Sequence, residues 1–348
     1  MKRFLIILVT IIFMLVFQAC SLFLGPDPGG SPKEIFDSIW NDFDKTYALF
    51  DVKGIDWKTV YNNHVSGISS GMSDKDLFAV CSGMLGELND AHVTLSSSFN
   101  HYNAGGRLDT SNIQPFSLDL IKNNYINNPA TAGEGMFTYG TFRSNPDIGY
   151  IFIKGFFQGS NTGAGQNWAE DIDIITKALK NTNSIILDNR GNRGGLPANV
   201  NYIVSRFASK QKDYAQILTK NGPGRNDFSS AVNQVIKPEG TVYTKPIILL
   251  TNAQTISAGE WFTLALRSQS HVTHAGSATN GAFSLSLERY LVNGWTYTVS
   301  VQKVMDMQGI CYEESGISPE PAHYKENTAE NITLGIDDQL EYALSLCN

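Results

Sequence analysis

From Ser31 to about Ser96 the apolar residues recur every three or four positions, the spacing that puts them on one face of a helix. Phe36, Ile39, Trp40, Phe43 and Tyr47 form one such stripe. Ahead of it, Ser31-Pro32-Lys33-Glu34 has the form of a capping box with Pro at the first helical position. A second start at Ser73 leads into Leu77, Val80, Cys81, Met84, Leu85 and Leu88. With Trp57, Val60 and Tyr61 these stripes predict a small helical domain over residues 32–96. Cys81 falls on the apolar stripe and reads as a small buried hydrophobe.

Residues 97–146 lose the periodicity and are rich in Asn, Gly and Ser, which predicts a connector with a few short strands. From Gly149 onward strands and helices alternate. Tyr150 to Ile153, Ser184 to Asp188 and Pro246 to Thr251 are short continuous apolar runs. Trp168, Ile172, Ile175 and Leu179 share a helix face, and further helices are expected over Ala198 to Phe207, Ala258 to Arg267 and Asp337 to Leu346. Tyr290 to Val304 alternates around Asn293-Gly294, the signature of a hairpin. Single helices between strands imply a largely parallel sheet over residues 147–348, with functional loops beyond the carboxyl ends of the strands.

The 348 residues are 42% hydrophobic and 17% charged, which suits an ordered globular chain. A net charge of -7 argues against a nucleic-acid partner, whose phosphates demand Lys and Arg. Cysteines at 20, 81, 311 and 347 have no CxxC spacing, so neither a metal nor a cofactor is expected. Lys2 and Arg3 precede an apolar run from Phe4 to Phe17, too short for a comfortable membrane span and suited to an export signal over residues 1–20. Phe17-Gln18-Ala19-Cys20 resembles a bacterial lipobox, which makes Cys20 the expected lipidation site. Residues 21–31, with Gly25-Pro26-Asp27-Pro28-Gly29-Gly30, have the composition of a tether. The expected location is therefore the bacterial cell envelope, on a membrane surface.

Three junctions carry candidate chemistry. After the strand ending at Thr251, Ser257 stands at the start of a helix, where free N–H groups and the dipole favour developing negative charge. The position suits a nucleophile and equally suits a plain N-cap. Asp188-Asn189-Arg190-Gly191-Asn192-Arg193-Gly194-Gly195 also follows a strand. Its glycines let backbone amides converge, as an oxyanion hole requires, though a Gly-rich turn without function has the same composition. His92, in Asp90-Ala91-His92, has the ordinary pKa of a general base near neutrality.

In this order these segments resemble the tail-specific, or C-terminal processing, serine peptidases, and within them the branch with the tricorn core and retinoid-binding-protein-like domains. Glu313-Glu314-Ser315-Gly316-Ile317-Ser318-Pro319-Glu320 adds a fourth matching piece. The resemblance implies an α/β fold with a crotonase/ClpP-like ββα core and a small N-terminal helical domain. No PDZ module is expected, because residues 97–146 are too few for one. It implies Ser257 as nucleophile, His92 as base and Glu313 as the carboxylate that orients it, with Glu314 adjacent. Amides of Gly194, Gly195 and Ala258 would form the oxyanion hole. In the processing branch a Lys follows the nucleophile in a Gly-Thr-Phe-Gly-Lys-Gly type segment; Ala282 stands there in this chain, which excludes a Ser-Lys dyad at that position.

The implied partner is a polypeptide or peptide substrate. Two rivals share the architecture. A catalytically inactive protein that binds peptides or apolar ligands needs no triad, since fold does not determine function. An acyl-CoA hydratase or isomerase needs acidic groups and a CoA pocket, which an exported chain does not call for.

Overall fold

The computed structural model describes residues 29–105, 115–159 and 167–347. The export signal, Cys20 and most of the tether lie outside the described residues. The first helix, α1 (Pro32–Thr46), is held by the expected capping box, in which the Ser31 N–H donates to Glu34 and the Glu34 N–H to the Ser31 hydroxyl. A four-residue helix, α2 (Phe50–Lys53), ends at Gly54 in the left-handed region. Asp56 caps α3 (Trp57–Val65) and Ser73 caps α4 (Asp74–Gly86). Trp40 and Trp57 stack with centroids 6.5 Å apart, and each indole N–H donates to the other's carbonyl at 3.0 Å.

Next come β1 (Thr94–Ser96), β2 (His101–Asn103), α5 (Leu118–Asn124), β3 (Ile126–Ala132), β4 (Phe137–Phe142) and β5 (Ile148–Ile153). They are followed by α6 (Ile172–Ala178), β6 (Ser184–Asp188), α7 (Pro197–Ser205), β7 (Lys212–Thr219), β8 (Val232–Ile236), β9 (Ile247–Thr251) and α8 (Ala258–Arg267). The chain closes with β10 (Val272–Gly276), β11 (Ser286–Tyr290), β12 (Thr296–Ser300), β13 (Gln302–Asp306), α9 (Ala329–Thr333) and α10 (Asp338–Ser345).

A six-stranded sheet in the order β10-β9-β6-β5-β4-β3 forms the centre, parallel from β10 to β5 and antiparallel beyond. Strands β5, β6 and β9 are buried at every position, which explains their unbroken apolar runs. Alternate residues feed two cores. Ile151, Ile185, Leu187 and Leu249 face α6, α7 and α8, whereas Tyr150, Ile186, Ile248 and Leu250 face Leu340 and Ala343 of α10.

Two features depart from the sequence expectation. Part of the expected connector, β3 and β4, extends the central sheet. Strand β3 is an exposed edge with Pro129 inside a register shift between Asn127 and Ala130, so its polar Asn-Asn-Pro sequence carries no strand pattern. The hairpin around Asn293-Gly294 forms, but its second strand stops at Ser300. The next strand, β13, joins a separate sheet, β13-β7-β8, while β11-β12-β1-β2 packs on the helical domain. The apolar positions explain the switch: Tyr297, Val299 and Val301 keep a two-residue step into the helical core, and Val304 breaks it to enter the other. The N-terminal helices thus close over a sheet supplied largely by the C-terminal half.

Candidate active site

Strands β6 and β9 are paired neighbours, so the loops leaving their carboxyl ends meet. The Asn189 amide donates to the Gly259 carbonyl (2.8 Å), the Thr255 hydroxyl to the Asn189 carbonyl (2.8 Å), and the Ile256 N–H to the Asn192 carbonyl (3.0 Å). These bonds bind the Gly-rich loop to the segment that carries Ser257. Behind them Arg190 is fully buried. It donates to both oxygens of Asp188 and of Asp337, and so ties the loop to the N-cap of α10.

Ser257 stands at the head of α8 with φ 58° and ψ -123°, a region that L residues rarely occupy. Such a residue stores about 1–3 kcal/mol of strain and persists only where its surroundings over-determine it. Its N–H donates to the Ala282 carbonyl (3.2 Å) and to Glu260 Oε2 (3.1 Å). Its carbonyl accepts from the Glu260 and Trp261 N–H groups of α8. Its hydroxyl lies 3.2 Å from His92 Nε2.

His92 reaches that position from the helical domain, 165 residues earlier in the chain. Asp90 is buried and organises the turn: one oxygen accepts the His92 N–H (2.8 Å), and the other the Tyr47 hydroxyl (2.9 Å). On the other side the Thr298 hydroxyl of β12 donates to the His92 carbonyl (2.6 Å). Burial holds the imidazole below its usual 6.5, and the charge of Asp90 partly offsets this. His92 Nδ1 is buried without a hydrogen-bond partner among the described residues.

Glu313 does not fill that gap by direct contact. It is buried, and its Oε2 accepts the Phe283 N–H (3.0 Å). It lines a small cavity with Asp90 and Ala91, on the segment that bears His92. Burial, then the nearby charge of Asp90, pushes its carboxyl well above the usual carboxylate range. Glu314 is engaged elsewhere, paired at 2.7 Å with Lys53, whose side chain is only 4% exposed.

Of the amides assigned to an oxyanion hole, that of Gly194 is already donated to Asn192 Oδ1 at 2.9 Å. The Gly195 and Ala258 N–H groups have no acceptor among the described residues. Gly194 serves close packing instead: at φ 84°, a Cβ there would sit 2.9 Å from Ser257 Cβ.

With this geometry in place, two family models match the chain. The model described as peptidase family S41 covers residues 147–322, half of the chain, and the tricorn protease C1 domain covers residues 28–86. The chain belongs to peptidase family S41.

A crystal structure from Parabacteroides merdae ATCC 43184 superposes with a TM-score of 0.80 at 28% identity, covering 92% of this chain and 97% of that one. Mature CPAF in complex with lactacystin has the same fold, with a TM-score of 0.68, 12% identity, and coverage of 91% and 97%. The carboxy-terminal processing protease CtpA of Bacillus subtilis (strain 168) is 31% identical over 183 residues, 52% of this chain and 36% of CtpA. The chain therefore spans about a third of the length of the curated relatives it matches.

Within this S41 chain, Ala282 occupies the position expected from the resemblance to lack a Lys, and its backbone is spent on Ser257 and Glu260. Sequence reasoning assigned no role to Glu260. It is fully buried and accepts from the Ser257, Gly281 and Ala282 N–H groups and from the Thr279 hydroxyl. Desolvation pushes its carboxyl up to about 7 against those four donors. The signal was present as a Glu three residues after a helix-capping Ser. Tyr47 and the pairing of Asp337 with Arg190 left no comparable signal, because their partners lie 43 and 147 residues away in sequence.

Proposed function

We propose that this S41 protein is a serine-type peptidase that hydrolyses peptide bonds of exported proteins or peptides, with Ser257 as nucleophile and His92 as general base. The observation that carries the reading is the 3.2 Å approach of His92 Nε2 to the hydroxyl of a conformationally strained Ser257 at a helix N-terminus. His92 accepts the Ser257 proton as Oγ bonds to the scissile carbonyl carbon. The C–N bond then breaks, and the same proton passes to the leaving amine. Water repeats the sequence on the acyl-enzyme and releases the acid. The Gly195 and Ala258 amides receive the oxyanion, and each such donor contributes about 3 kcal/mol to the transition state.

Glu313 is the orienting carboxylate of this reading. It lines a small cavity with Asp90 and Ala91, the two residues before His92, whereas Glu314 is held by Lys53. The Lys2 to Cys20 segment supports export and lipid attachment, and in this reading the peptidase sits on the membrane surface of the cell envelope.

A fluorophosphonate probe tests the assignment. Wild type is expected to be labelled, and Ser257→Ala and His92→Ala are not. An unlabelled wild type that still binds peptides would favour an inactive binding protein, and labelling that persists in Ser257→Ala would remove Ser257 from its role.

A further inference from the structure

Strand β11 ends the β11-β12-β1-β2 sheet, and its outer edge has no neighbouring strand among the described residues. The Val301 N–H donates to the Leu285 carbonyl (3.0 Å) and the Leu291 N–H to the Trp295 carbonyl (2.9 Å), so odd-numbered residues turn their backbone groups inward on β12. In an antiparallel ladder the alternate residues turn outward, which leaves the N–H and C=O groups of Ser286, Glu288 and Tyr290 on the open edge.

Open edges are ordinarily blunted by Pro, bulges or unpaired charge. Strand β11 has no Pro and an unbroken register, and its two charges are engaged, Arg289 with Asp42 and Glu288 with the Tyr290 hydroxyl. Leu285 and Leu287 lie on the sheet face that covers the helical core, yet remain 49% and 37% exposed, with no strand beyond them among the described residues.

We infer that this edge receives an extended stretch of the polypeptide substrate as an added strand, with Leu285 and Leu287 contacting alternate side chains. The inference rests on the peptidase reading above. Continuity with the cleft favours this occupant. Strand β11 leaves the catalytic loop directly: the Ala282 carbonyl accepts from Ser257, the Phe283 N–H donates to Glu313, and the Phe283 carbonyl accepts from the Trp261 indole at 3.1 Å. The span from Ala282 to Tyr290 asks for about eight extended residues on one side of the scissile bond, at roughly 3.3 Å per residue.

The test compares wild type with Glu288→Pro, which deletes one outward N–H and keeps the β12 ladder, and with Glu288→Ala, which keeps the N–H. Ser286→Pro takes its place should Glu288→Pro fail to fold. For peptides with about eight residues on that side, the Pro variant is expected to raise KM about tenfold, the worth of one hydrogen bond. Four-residue peptides and fluorophosphonate labelling should not change. Equal KM across lengths, or the same loss in Glu288→Ala, would overturn the edge assignment. So would a wild-type dimer that Glu288→Pro dissolves without altering KM, since the edge would then serve a second copy. Anisotropy of a long labelled peptide on Ser257→Ala reads binding without turnover, so a failed peptidase reading and a failed edge give different results.

Discussion

Replacing Glu260 by Gln isolates the group that holds the Ser257 loop together. The carboxyl moves from an ordinary 4.5 up to about 7 on burial. An acid whose folded pKa is raised stabilises the fold fully below its unfolded pKa, and that contribution is lost as pH rises through the folded value. At about 1.4 kcal/mol per pH unit, wild type should lose about 2.5 kcal/mol from this group between pH 5 and pH 8. Gln carries no proton and loses none of it. At pH 5, however, Gln has its own cost. Oε2 serves the Ser257 and Ala282 N–H groups and Oε1 serves Thr279 and Gly281, so the better amide orientation turns its NH2 toward the Gly281 N–H. One buried donor left unpaired costs about 2 kcal/mol. Urea denaturation of both proteins should therefore show Glu260→Gln less stable by about 2 kcal/mol at pH 5, with the gap closing or reversing by pH 8. A gap that stays constant would mean that the four donors keep the carboxylate ionised throughout, and the reasoning from burial would be refuted.

Burial holds His92 below 6.5, and in the proposed mechanism its neutral form is the base, so activity should be full above its pKa and fall as pH drops through it. A pH–rate profile of wild type should put the acid limb below 6.5; a midpoint above it would mean that a charged Glu313 outweighs burial. Asp337→Asn removes charge from the fully buried Arg190 and should cost about 3 kcal/mol in denaturation, since breaking a buried pair strands the remaining ion. Gly194→Ala forces a Cβ against Ser257 at φ 84°, and kcat should fall at least tenfold, with a stability loss of about 1–3 kcal/mol from the strained backbone. An unaltered kcat would show that the Gly-rich turn does not set the position of Ser257.

The legible part of the protein was local. Caps at Ser31 and Ser73, the apolar stripes of α1 and α4, and the continuous runs of β5, β6 and β9 reflect burial patterns set by neighbouring residues. Ser257 and the Gly-rich loop were legible because strand-to-helix junctions announce themselves in turn residues, and His92 only because its surrounding motif resembles a family. Strand β3 was not legible: an edge strand with a bulge and a Pro has no alternation to read.

By itself the sequence determined most of the helices and strands and which loops hold the candidate side chains, since those depend on periodicity and caps within a few residues. The tertiary structure alone decided that a His from the N-terminal helices faces a Ser 165 residues later. It also decided that Gly194 spends its amide on Asn192, and that Glu260 gathers four donors from two loops. Pairings between distant residues depend on which strands become neighbours, and that choice is made when the whole chain buries its apolar surface.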